Sequence, residues 1–116
     1  MITTIKSGVI MNHDQALPPL HPGEVLREEF LVPMGLSSYA VAKALGIPPQ
    51  RVADIAGERR GISADTAARL GRFFFGDAHA GAAFWLNLQS RFDLETALLT
   101  AGPGIDAIEP YPSSAK

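Results

Sequence analysis

The chain contains no cysteine. That excludes a disulfide framework and a thiolate zinc site, and it fits a reducing compartment. Histidine is sparse: His13, His21 and His79 are scattered and lack the short spacing that brings two imidazoles to one metal. No metal and no cofactor are therefore expected. No apolar run reaches the roughly 18 residues that cross a membrane, and the N-terminus has no basic-then-apolar leader pattern. A soluble, cytoplasmic protein is the expectation. Also missing are a Ser-His-Asp order, a glycine-rich phosphate loop and a suggested cleft of paired carboxylates. Nothing points to an enzyme.

Positive charge is scarce as well, with a net −2 over 116 residues. Its distribution matters more than its sum. Residues 37–72 carry Lys43, Arg51, Arg59, Arg60, Arg69 and Arg72 against Asp54, Glu58 and Asp65, a local +3, while both flanks are acidic. Attraction to phosphate follows the local field, so a polyanion would meet this middle segment. A chain this long makes one domain with a modest core, for which a homodimer interface is a reasonable supplement.

That same segment holds the most informative pattern. Ser38 to Leu45 places Val41, Ala42 and Leu45 at spacings of three and four, the apolar stripe of a short helix. Ser37 is a good N-cap for it, and Gly46 supplies the permissive backbone where a helix ends in a left-handed residue. Pro48 and Pro49 follow, and proline fits the first turn of a new helix. The second helix, Pro49 to Ala56, buries Val52 and Ile55 and turns Gln50, Arg51 and Asp54 outward. Small Ala42 lies at the crossing. This is a helix-turn-helix, whose second helix reads the major groove.

The remaining chain builds around it. His21-Pro22-Gly23-Glu24 opens a helix that buries Val25, Leu26, Phe30 and Leu31 and closes at Pro33. Ser63 caps a further helix with Ala67, Leu70 and Phe74 on one face. A last helix is expected from Ala82 to Thr96, with Trp85, Leu88 and Phe92 inward. Residues 1–20 read as a flexible arm with a short strand near Val9 to Met11. Residues 21–97 form the domain. Residues 98–116, with three prolines from Pro103 onward, read as a disordered tail. The fold class is all-α, five helices around one core.

Four blocks in order carry a more specific signal. They are His21-Pro22-Gly23-Glu24-Val25-Leu26, Gly46-Ile47-Pro48-Pro49-Gln50-Arg51, Arg60-Gly61-Ile62-Ser63-Ala64-Asp65-Thr66-Ala67, and Phe84-Trp85-Leu86-Asn87-Leu88-Gln89 with Phe92-Asp93-Leu94-Glu95. This stretch resembles the HigA (VapI) branch of the XRE-type helix-turn-helix proteins, the antitoxins of HigBA toxin–antitoxin systems. The resemblance implies a lambda-repressor-like homodimer that binds a palindromic operator in its own promoter. It also implies a HigB-type toxin partner that cleaves mRNA. One departure is visible: the link Phe75 to Ala83 is several residues longer than the family's and lacks its Ser-Pro cap.

Within that frame Gln50 and Arg51 are the leading base-reading residues. Arginine pairs with guanine O6 and N7, and glutamine with adenine N6 and N7. Asp54 either accepts from cytosine N4 or pairs with Arg51 one turn away. Ser37 and Ser38 mark a helix N-terminus suited to phosphate, with Lys43, Arg59 and Arg60 as further phosphate contacts. Arg69 and Arg72 read as surface or dipole partners. Phe84, Trp85 and Phe92 read as core. Phe73, Phe74 and Phe75 cannot all point inward, so at least one faces a partner or packs under the link. An XRE-type regulator without a toxin is the alternative, and a protein-interaction module is a third reading.

Overall fold

A computed structural model describes residues 17–112. The expected strand near Val9 to Met11 and most of the N-terminal arm lie outside the described residues; residues 17–20 carry no regular secondary structure. All regular structure among the described residues is helical and forms five helices. The first, α1, runs through α-helical Pro22–Val25, π-helical Leu26–Leu31 and α-helical Val32–Met34. It is followed by α2 (Ser38–Leu45), α3 (Pro49–Ala56), α4 (Ala64–Phe75) and α5 (Ala78–Asp106).

The helix starts are chemically specified. The His21 ring accepts from the Gly23 N–H through Nδ1 at 2.8 Å, which caps α1. Ser37 Oγ accepts from Ala40 N at 3.0 Å, and Ser63 Oγ from Thr66 N at 3.3 Å. The π-helical stretch was not expected. Val32 N–H bonds to Arg27 O, five residues back. A wider turn there suits Pro33, which has no N–H to give and whose ring clashes with the carbonyl four residues earlier in an α-turn.

The core joins all five helices: Leu26 and Leu31 from α1, Val41 and Leu45 from α2, Val52 and Ile55 from α3, Leu70 from α4 and Trp85 from α5 are buried. Phe30 gathers the aromatics, with ring centroids 4.7 Å from Phe74 and 5.2 Å from Trp85. Trp85 is fully buried, as expected for a core residue, whereas Phe84 remains partly exposed. Of the three phenylalanines, Phe74 packs on the core, Phe75 leans on Phe84 and Phe73 faces outward.

The last helix corrects the sequence expectation at both ends. It begins at Ala78 instead of Ala82, because Asp77 replaces the missing Ser-Pro cap. Asp77 Oδ1 accepts from His79 N at 2.9 Å and Ala80 N at 3.0 Å. The small residues of the link are a packing device. A Cβ on Gly81 would sit 2.2 Å from Gly71 Cα, so α4 and α5 touch backbone to backbone. Residues 98–106, expected in a disordered tail, are helical. The helix geometry breaks at Ala101 (φ −127°, ψ 16°), just before Pro103, and then continues to Asp106.

The Asp77 cap carries a pH signature. Hydrogen bonds from Ala80 N–H, the larger effect, and His79 N–H hold its carboxyl below the ordinary 3.8. A folded-state value below the unfolded one means the cap stabilises above 3.8 and fades as pH falls through the lowered value. Asp77→Ala is expected to lower the thermal midpoint at neutral pH, with the difference from the parent closing in strong acid. Identical melts at pH 7 would remove Asp77 as a cap.

Candidate nucleic-acid interface

The helix-turn-helix closes as its residues dictate. At the end of α2, Gly46 takes the left-handed conformation (φ 73°) and Ile47 N–H reaches back to Ala42 O at 3.1 Å. Ile47 is buried beneath the turn. Pro48 is extended and precedes α3, with Pro49 in its first turn. Val52, Ile55 and Ala56 are buried, so α3 is anchored by one face.

The opposite side of α3 is open. Gln50 is exposed and Arg51 is half-buried. Among the described residues Arg51 forms no ion pair. Its stem therefore lies against the helix while its guanidinium has no protein carboxylate to satisfy it. Lys43 and Arg60 are exposed and likewise form no ion pair among the described residues. Cations left without counter-charges here keep their field for an external anion.

Asp54 is committed within the protein. Its Oδ1 accepts from Gln50 Nε2 at 2.8 Å, from Arg59 Nη2 at 3.1 Å and from Arg59 Nε at 3.3 Å. No pair with Arg51 forms; the partner is the arginine across the turn. These bonds, that of Gln50 first and those of Arg59 next, hold the Asp54 carboxyl below the ordinary carboxylate range. Arg59 remains mostly exposed despite the pair.

At the start of α2, Ser37 is exposed and its hydroxyl oxygen is used in the cap, while Ser38 is half-buried. The first turn of α2 keeps free N–H groups beside them, the arrangement that accepts an anion. Tyr39, which the sequence reading passed over, is 62 % exposed one residue further on, with Lys43 one turn later on the same side.

Arginines outside the motif hold it in place, and the sequence reading missed the most important of them. Arg27 of α1 donates from Nη1 to Ala56 O, closing the end of α3, and from Nη2 to Glu58 at 3.1 Å. Glu58 is a non-glycine residue in the left-handed region (φ 63°), so this pair secures a conformation that costs about 1 kcal/mol or more. The sequence signal was faint: a single arginine among the acidic residues of α1. Arg69 donates to Leu45 O at 2.8 Å and pairs with Asp65 at 2.9 Å, tying α4 to the end of α2. Arg72 bonds Gly76 O at the end of its own helix.

No group of three or more His, Asp or Glu side chains suited to a metal occurs among the described residues. No helix there is long and apolar enough to cross a membrane.

Comparison with known proteins places this geometry among relatives. No protein-family model matches the chain. It is 56% identical over 81 residues to virulence-associated protein I of Dichelobacter nodosus, covering 70% of this chain and 71% of that protein. The solved Pseudomonas aeruginosa antitoxin HigA with higBA promoter superposes with a TM-score of 0.72 at 48% identity, covering 81% of this chain and 99% of that one. Antitoxin GraA in complex with its operator gives 0.74 at 42% identity, covering 85% and 97%.

Proposed function

We propose that this chain, which belongs to the HigA family of helix-turn-helix antitoxins, binds operator DNA in its own promoter and neutralises a partner mRNA-cleaving toxin. One observation carries the DNA reading: α3 is anchored on one face and leaves Gln50 and the unpaired Arg51 free on the other. Side chains of that type on the first turn of a second helix reach base edges in the major groove. Lys43, Arg59, Arg60 and the Ser37–Ser38 helix start then meet the phosphates that fix its register. Solved relatives carrying promoter or operator DNA support the same docking.

The active species is a homodimer. The far half of α5 exposes Leu94, Leu98 and Leu99, apolar surface that a second copy would cover. A twofold pair of reading helices matches a palindrome with half-sites about one helical turn, ~34 Å, apart. The protein acts by occupying DNA and toxin, without catalysis, and does so in the cytoplasm.

Two assays test this reading. The chain should retard a duplex of its own upstream region at sub-micromolar concentration and leave a scrambled duplex unshifted at physiological salt. Co-expressed with the adjacent small reading frame, it should co-purify with that product and relieve its toxicity. Equal retardation of both duplexes would remove sequence-specific repression. Failure to co-purify or to relieve growth arrest would remove the antitoxin role.

A further inference from the structure

We propose that Asp54 is a positioning residue for base recognition, fixing the Gln50 amide in one of its two flips and holding Arg59 beside it. The inference rests on the DNA-reading role of α3 proposed above and concerns how that helix is made selective. It replaces the expectation that Asp54 itself contacts a base.

The geometry sets out the roles. Gln50 and Asp54 stand one turn apart, and Gln50 Nε2 donates to Asp54 Oδ1 at 2.8 Å. The Asp54 side chain is only 24% exposed, against 62% for Arg59, so the carboxylate sits lower than the groups it holds. A free glutamine amide exchanges its oxygen and nitrogen by rotation at little cost, presenting a donor or an acceptor alike. A carboxylate is an acceptor only, so it bonds Nε2 and rejects Oε1. Being ionised, it does so more strongly than a neutral acceptor would. One flip survives.

The surviving flip has a chemical consequence. Oε1 and the second hydrogen on Nε2 remain for an external partner. An acceptor beside a donor is what adenine requires, since its N6 amino group donates and its N7 accepts. Asp54 thus converts an ambivalent amide into a directed one. Arg59 completes the arrangement: it contributes Nε and Nη2 to the same oxygen and compensates the negative charge that would otherwise repel phosphate. Part of its guanidinium stays free for the DNA backbone.

Asp54→Asn tests this with little change of shape. An asparagine amide supports either flip of Gln50, by accepting from Nε2 or by donating to Oε1. Binding of the dimer to its operator would be measured with every base pair of one half-site replaced in turn, for the parent, Asp54→Asn, Gln50→Ala and the double variant. Asp54→Asn should lose about tenfold discrimination at the same base pair as Gln50→Ala. In the double variant the Asp54 change should add nothing there. Asp54→Ala should repeat the result if the Asn substitution perturbs folding. Loss at a different base pair, additive effects, or unchanged discrimination would each overturn the proposal. If the parent itself fails to distinguish the operator from scrambled DNA, the reading of α3 fails instead, and the two failures remain separable.

Discussion

Gly23→Ala is expected to lower folding stability by about 3 kcal/mol, the upper end for overpacking a close contact. A Cβ at this position would lie 1.7 Å from the carbonyl oxygen of Ile55. That oxygen is backbone, in the last turn of α3, and accepts from Glu58 N–H at 2.9 Å, so it has no rotamer to escape into. Either α1 withdraws from α3 or the end of the reading helix shifts. Both outcomes also disturb Arg27, whose bonds to Ala56 O and Glu58 hold that end. Urea unfolding should show a lower midpoint with little change in slope. A loss below about 0.5 kcal/mol, the usual span of a neutral surface change, would mean that the two helices are not in this contact.

Arg51→Ala is expected to weaken operator binding by roughly one to two orders of magnitude, the loss of one bidentate base contact. Its guanidinium has no ion-pair partner among the described residues, and its half-buried stem limits the freedom lost on docking. The deficit should appear as relaxed preference at one base pair. The contrast is Arg59→Ala with Arg60→Ala, which should weaken all duplexes alike and reduce the salt dependence by about one contact per phosphate lost. Anisotropy titrations of operator and scrambled duplexes over a salt series would separate the two patterns. Unchanged operator affinity for Arg51→Ala would exclude this residue from base reading.

The parts of the molecule that were legible in the sequence are those with local chemical marks. Ser37, Gly46 and Pro49 delimit α2 and α3 at Ser38–Leu45 and Pro49–Ala56, the bounds expected from capping and proline alone. Ser63 did the same for α4. The extent of α5 was not legible, for two physical reasons. Its first turns pack through Gly81 against Gly71, where the contact is made by missing side chains and leaves no apolar stripe. Its far half is exposed with Leu94, Leu98 and Leu99 uncovered, so no inside and outside alternate there. The π-helical part of α1 lacks a marker other than Pro33. At the interface, Gln50 and Asp54 stand at a helical spacing that makes their bond readable, but Arg59 approaches Asp54 across a turn whose left-handed residue is Glu58, with a glycine directly before it. Arg27 acts over a longer distance in sequence, which no local pattern announces.

The most direct measurement is chemical protection of the operator by dimethyl sulfate, which methylates guanine N7 in the major groove and adenine N3 in the minor groove. With the protein bound, guanines should be protected in two clusters about one helical turn apart, with adenine N3 still reactive there. Arg51→Ala should uncover one guanine in each cluster. Protection confined to adenine N3, or guanines as reactive as in free DNA, would show that α3 does not enter the major groove.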